Sequence, residues 1–456
     1  MPDTASKNTG ILARLRARRE RARERRRLLR ARWDSLPESQ KFLTQWAGRG
    51  AISCGATHGV MEKCNYTCTS CYLTSLANWA KPLPYEKVLD QLKTLRKELG
   101  HGGKVQITSG EVTLLSIEEL GKIVRAGRDL GLDLMVMSNG QRLFDKPDYL
   151  PRLVGEFGLE KICCHVDVTQ PERVKGGETE ADLHVYRDEF AELVRSTRKQ
   201  TGKALHAAHT VTVTEENLDG MTDVMDWMLR NCDAVRMVSF QPLAEVGRTQ
   251  DQKGAEASFD AVWERVQRAC GAPVNRDAVH FGHEECNATV PLLVLDVGRE
   301  RPVVVDVIRK HSTWDRKIFA RALATEVEAG GNVLSTVGNG LLAMVSQPWT
   351  FLTGSAWLFV RGTMLLPLLL STLMRGKLPR IRPLMVVVHR FMGAEELETD
   401  RGKERLEACV FKLPLEDGSL VSMCEMNATE MRAGLTRAQV PERLLERADE
   451  HSKAPV

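Results

Sequence analysis

The sequence predicts an α/β fold: a partial (βα)6 TIM-like barrel followed by a mostly helical C-terminal extension. Three observations carry this. Short apolar runs alternate with amphipathic segments six times between residues 51 and 250. The runs at 162–168 and 235–240 are largely apolar throughout, as strands of a parallel sheet covered on both faces are. After residue 251 the alternation stops, so six units rather than eight favour an open barrel.

Taken in order, residues 11–33 are almost entirely Ala, Leu, Glu and Arg, which predicts a basic surface helix. The first strand is expected around Val60 and is followed by a helix at 85–99. Strands at 104–109, 133–138, 161–168, 204–213 and 234–240 then alternate with helices at 117–130, 149–157, 187–199 and 221–230. A helix at 259–269 begins the extension. From 329 to 360 no residue is charged, Arg361 interrupts, and 362–374 is again uncharged. Ser335, Asn339, Gln347, Pro348, Gly354 and Pro367 punctuate that run, so a buried lid or a membrane-contacting segment is expected rather than a membrane-spanning helix. The division is thus 1–50 as a basic helical segment, 51–250 as the barrel, and 251–456 as an auxiliary or substrate domain containing the apolar segment 329–374.

With 43% hydrophobic and 27% charged residues over 456 positions, the chain belongs with globular proteins. Charge is uneven along it. In residues 1–33, eleven Arg and Lys7 stand against Asp3, Glu20 and Glu24, a local net charge of +9 that leaves −5 for the rest of a +4 chain. That segment suits a solvated helix or attachment to anionic lipid; without interleaved aromatics or a base-reading motif, nucleic acid is not an expected partner. The arginine-rich start has no apolar core of a signal peptide, which predicts a cytoplasmic protein at the membrane surface. Eleven Cys in so long a chain, without the dense spacing of a secreted scaffold, suit a reducing compartment.

The chemistry concentrates in Cys64-Asn65-Tyr66-Thr67-Cys68-Thr69-Ser70-Cys71, just after the first expected strand. Three thiolates on one tight loop can hold three corners of a [4Fe–4S] cluster, and the missing fourth ligand leaves one iron open to a small chelating molecule. A zinc knuckle would need a fourth protein ligand, for which only His58 and Cys54 lie within reach. The second strand ends in Gly110-Glu111, a close-approaching backbone beside a carboxylate that can receive an ammonium group. Ser138 and Asn139 end the third strand with groups able to bind a ribose. Asp167 ends the fourth, as a cofactor contact or a helix cap, and His165 before it is expected to be a core residue.

The spacing of Cys64, Cys68 and Cys71 resembles the radical S-adenosylmethionine superfamily, over roughly residues 51–250. The resemblance implies that the open iron binds the methionine part of S-adenosylmethionine and that one electron from the cluster cleaves it. The resulting 5′-deoxyadenosyl radical then takes a hydrogen atom from substrate. It further implies a reductant partner such as flavodoxin or ferredoxin. Gly110-Glu111 looks like that family's Gly-Gly-Glu-Pro amine site, with Ser109 and Val112 at its first and last positions. Ser70 stands where many members carry an aromatic residue, and Tyr72 after the motif is the candidate in its place.

Farther along, the strand end Phe240-Gln241-Pro242 and the late segments around His389, Cys409 and Cys424 look like the tetraether synthase branch of lipid-modifying enzymes. By that resemblance Cys286, Cys409 and Cys424 are candidate ligands of an auxiliary iron–sulfur cluster, against the plain alternative of packed free thiols. A carbon radical is needed only at unactivated C–H bonds, so inert carbon is the expected target, and the long apolar run favours a lipid. Two alternatives remain open: a radical enzyme that matures peptides or proteins, and a non-catalytic iron–sulfur or zinc protein.

Overall fold

The first half of the chain alternates strand and helix as its apolar periodicity dictates. The strands are β1 (Cys54–Ala56), β2 (Lys104–Ile107), β3 (Asp133–Ser138), β4 (Lys161–His165), β5 (His206–Val213) and β6 (Val235–Pro242), each pairing in parallel with the next. The computed structural model describes residues 11–248, 255–324 and 348–445. The boundary expected at 250 and the stretch 329–347 of the apolar run lie outside these residues, as do residues 1–10 of the basic segment.

Helices Tyr85–Leu99, Ile117–Asp129, Tyr149–Gly155, His184–Thr201 and Met221–Asn231 cover one face of this sheet. Helix Ile117–Asp129 starts at a capping box, with Ser116 Oγ accepting from the Glu119 N–H and Glu119 reaching back to the Ser116 N–H. Its apolar stripe, Leu120, Ile123 and Val124, faces the strand residues Leu134 and Val136. Each fully buried Leu in this layer contributes about 1.5–3 kcal/mol.

Strand residues alternate between that core and the opposite face. Gln106, Met137, Cys163, His165, Thr210, Thr212, Ser239 and Gln241 therefore line the concave side, which is largely polar.

The extension does not form a separate layer. Helical residues predominate in it, but its strands join the same sheet at both edges. β7 (Val279–His280), β8 (Asn287–Asp296), β9 (Val303–Asp306) and β10 (Arg380–His389) add beside β6, with β10 parallel to β6 and β8 antiparallel to β10. At the other edge β11 (Phe411–Pro414) pairs in parallel with β1, and β12 (Leu420–Ser422) runs antiparallel to β11. The order β12-β11-β1-β2-β3-β4-β5-β6-β10-β8-β7 is open, since no ladder joins β7 to β12.

The sheet nevertheless curls. β10 and β11 lie seven strand positions apart, about 33 Å in a flat sheet. Yet the rings of His389 on β10 and Phe411 on β11 are 6.2 Å apart. Side chains, not backbone bonds, bridge the seam.

The first strand corrects the sequence expectation. β1 ends at Ala56, and Val60 lies beyond it, buried in the core. Thr57 leaves the sheet by donating its hydroxyl to the Thr108 carbonyl at 2.8 Å, so Val60 owes its apolar character to loop burial. The strands after 251 also went unpredicted, because Pro291 and Pro383 interrupt β8 and β10. The expected basic helix is present as Ile11–Asp34. It is docked: Arg32 donates to the carbonyls of Ala408 and Cys409, Arg96 pairs with Glu24 at 2.9 Å, and Arg49 lies over Trp33. Arg16, Arg19, Arg23, Arg26, Arg27 and Arg30 face solvent.

Candidate active site

The C-terminal ends of the parallel strands converge on the loop of Cys64, Cys68 and Cys71. All three thiols are free and partly exposed; Cys71 raises the ionisation cost of both Cys64 and Cys68, and Cys64 that of Cys68, so they share one neighbourhood. Four further strand-end loops hold them. After β2, the Glu111 N–H donates to the Lys63 carbonyl at 3.0 Å, and a Cβ on Gly110 would stand 2.2 Å from the Glu62 carbonyl oxygen. Gly110 is thus required for the close approach that positions Cys64. After β3, Asn139 Nδ2 lies 3.8 Å from Cys64 Sγ and 2.8 Å from Asn65 Oδ1.

After β4, Thr169 accepts from the Thr69 N–H at 3.0 Å and Glu172 accepts from Thr67. After β6, the Arg248 N–H donates to the Cys71 carbonyl at 2.9 Å, and Gly247, at φ +57°, presses on the Tyr72 backbone. Glu172, Thr169, Gly247 and Arg248 carried no role in the sequence reading.

Burial pushes the Cys64 thiol up to about 12 and raises Cys68 and Cys71 as well, with Arg248 working in the opposite direction on Cys64 and Cys71. Such thiols stay protonated until a cation takes the place of the proton. Among the described residues no three His, Cys, Asp or Glu side chains are gathered as one metal ion requires. Ligands of a single zinc lie about 2.0–2.3 Å from a common centre. A cubane instead gives each thiolate its own iron, so three soft donors spread around one loop, with the Tyr66 N–H directed at Cys64 Sγ from 3.4 Å, fit that group.

Glu111, Ser138 and Asn139 come together beside this loop. The buried Glu111 carboxylate accepts on Oε1 from the Thr113 N–H at 3.1 Å, the Thr113 hydroxyl and Ser138 Oγ at 2.9 Å, and on Oε2 from the Asn139 N–H. Oε2 therefore keeps an acceptor direction for a further donor. Tyr72 is turned toward the extension. Its hydroxyl is 3.3 Å from Thr108 Oγ1, Arg432 lies over its ring at 4.7 Å, and burial raises its phenol to about 12.

Asp167 is fully buried and faces His165, not an open cavity. It accepts from His165 Nε2, from the Thr169 N–H at 2.9 Å and from the Thr212 N–H at 2.7 Å. His165 keeps 30% of its side chain exposed on the concave face, contrary to the expected core position. Burial opposes charge on both groups, but their mutual attraction outweighs it, so Asp167 is lowered and His165 raised.

The signs set a pH window. His165 contributes fully below its ordinary 6.5 and loses that contribution as pH rises through its raised value, whereas Asp167 contributes above its ordinary 3.8 and loses it as pH falls. His165→Gln should therefore lower the melting temperature more at about pH 5 than at about pH 9. A pH-independent difference in thermal scans would contradict the ion pair.

Cys286, Cys409 and Cys424, distant in sequence, line one small pocket at the seam with His389, Phe391 and Arg405. Arg405 Nε donates to Cys286 Sγ at 3.1 Å, the Phe411 N–H to Cys409 Sγ and the Met392 N–H to Cys424 Sγ, both at 3.4 Å. Burial raises Cys286 to about 11, and the neighbouring Cys409 and Cys286 add to the burial that raises Cys424. Tyr72, which follows Cys71, packs against the same apolar cluster as Cys424.

No family model matches the chain, and no curated protein matches it. Among solved structures, anSMEcpe with bound AdoMet is similar at 14% identity and a TM-score of 0.31, over 41% of this chain and 50% of that one. This chain thus matches only half the length of that structure. Methylornithine synthase (PylB) is similar at 14% identity and 0.34, over 57% and 69%. A lysine decarboxylase from Selenomonas ruminantium is similar at 13% identity and 0.22, over 62% and 66%. These likenesses are partial and distant, and the chemistry of the site rests on its own residues.

Proposed function

We propose that the protein is a radical S-adenosylmethionine enzyme, with Cys64, Cys68 and Cys71 as ligands of a three-cysteine [4Fe–4S] cluster. The observation that carries this is one loop of three free thiols, gripped from the ends of β2, β3, β4 and β6 and opening on the concave face of a parallel sheet. A cluster bound there supplies the electron that cleaves S-adenosylmethionine to a 5′-deoxyadenosyl radical. The chain's own groups bind and orient. Glu111 Oε2 receives the cofactor's ammonium group, Ser138 and Asn139 fix the Glu111 carboxylate, and Asn139 Nδ2 directs a dipole at Cys64. Asp167 acts through His165, which presents its ring to the concave face. A flavodoxin or ferredoxin is the proposed reductant.

The substrate in this reading presents unactivated C–H bonds, with a lipid chain favoured by the exposed apolar helix of the extension and a chain-coupling or reducing outcome. The pocket of Cys286, Cys409 and Cys424 supports a second iron–sulfur centre. A peptide-maturing enzyme is the second reading, because the same pair of thiol groups would serve it.

Anaerobic reconstitution with iron and sulfide, then dithionite and S-adenosylmethionine, tests both parts. 5′-Deoxyadenosine should form and rise with a lipid extract. The Cys286→Ser/Cys409→Ser/Cys424→Ser variant should hold fewer irons than the wild type yet keep the first cluster's spectrum. Equal iron content in both proteins removes the second centre, and stimulation by peptide but not lipid selects the other reading.

A further inference from the structure

The helix Pro348–Met374 is long and apolar, and among the described residues little covers one side of it. Its stretch Leu352–Met374 has the length and composition of a membrane-crossing helix, the one such helix among the described residues. Trp349, Phe359 and Met374 are 76%, 73% and 89% exposed. At about 100° per residue, these three with Leu358, Leu366 and Leu373 occupy about half of the helix circumference.

The other side is anchored. Trp357 Nε1 donates to Asp315 Oδ1 at 2.9 Å, Arg361 donates to the Asp306 carbonyl, and Thr372 is buried. A helix held to the protein along one side and bare along the other has the geometry of one lying in a membrane interface. The turn that follows it is cationic. Arg375, Lys377 and Arg380 are exposed, and residues 348–394 contain no acid. Arg375 and Lys377 bond to the carbonyls of Ser371 and Gly298, contacts that leave their charge unneutralised.

We propose that this helix and the turn after it dock the protein on an anionic lipid leaflet, with the apolar half at the acyl boundary and Arg375, Lys377 and Arg380 at the headgroups. A bilayer covers a half-circumference of side chains, whereas one partner helix from a second copy covers only a stripe. The same leaflet meets the cationic turn with opposite charge. The inference shares the helix with the lipid reading above but does not depend on cluster chemistry.

The test is sedimentation of the full chain with phosphatidylcholine vesicles, with and without phosphatidylglycerol. The wild type should bind the anionic vesicles and release as salt rises. Phe359→Glu/Leu366→Glu should abolish binding, and Arg375→Glu/Lys377→Glu/Arg380→Glu should weaken it on the order of 100-fold. These side chains are exposed, and iron content and thermal unfolding measured alongside separate lost docking from lost fold or lost cluster. Absence of binding, or binding indifferent to lipid charge, overturns the proposal. So does self-association of the wild type that Phe359→Glu/Leu366→Glu abolishes, or resistance to alkaline carbonate extraction, which would make the helix a span.

Discussion

Cys68→Ala reduces 5′-deoxyadenosine formation to the level of a reaction without protein. Of the three thiols, Cys68 lies in the middle of the loop, and burial together with Cys71 and Asp167 makes its bare anion costly. Removing it leaves two donors for a cluster that already lacks a fourth protein ligand. The reconstituted variant should lose the visible charge-transfer absorption of the cluster as well as its product, while its far-UV circular dichroism stays that of the wild type. Product formation at the wild-type rate would falsify the assignment of the three cysteines. A variant that keeps its absorption yet makes no product would restrict the role of Cys68 to catalysis, against its reading as a ligand.

Arg187→Met has the second largest expected effect, a loss of about 3–5 kcal/mol of stability. Arg187 and Glu180 are both fully buried and paired. Arg187 also donates to the Val166 carbonyl at 3.0 Å, and Glu180 accepts from the Val168 N–H at 3.1 Å. The pair therefore clamps the backbone on either side of Asp167. Removing the cation leaves a carboxylate in the core with only the Val168 and Asn217 donors to satisfy it. The double variant Arg187→Met/Glu180→Gln should lose less than Arg187→Met alone, because no uncompensated charge remains. Denaturant titration measures both; a single-variant loss below about 1 kcal/mol would place the pair in contact with water.

The βα half of the fold was legible because its longer helices carry one-sided apolar stripes and some of them are bounded by local signals. Ser116 with Glu119 starts one helix, and Gly100 at φ +74° ends another. Helices predicted at 85–99, 117–130 and 221–230 occur as Tyr85–Leu99, Ile117–Asp129 and Met221–Asn231. β1 was misplaced because three residues are too few to show a period of two. β10 and β11 were missed because their parallel partners, β6 and β1, lie far away in sequence, and such pairing leaves no local periodicity to read.

In the candidate site, the cysteine spacing and the Gly-Glu, Ser-Asn and Asp residues at strand ends were readable one by one. Their mutual arrangement was not. Nothing in the sequence says that Ser138 and Asn139 hold Glu111, that Asp167 faces His165, or that Tyr72 turns toward Arg432.

By itself the sequence determined the alternation of strands and helices, the three-thiol loop and the long uncharged segment, because composition, spacing and periodicity are local properties. Only the tertiary structure decided three other things: that the extension adds strands to both edges of one curled sheet, that Cys286, Cys409 and Cys424 meet at its seam, and that the apolar helix keeps half its circumference bare. The physical reason is the same in each case. Which surfaces are removed from water depends on contacts between residues far apart in the chain, and those contacts exist only once the sheet has curled.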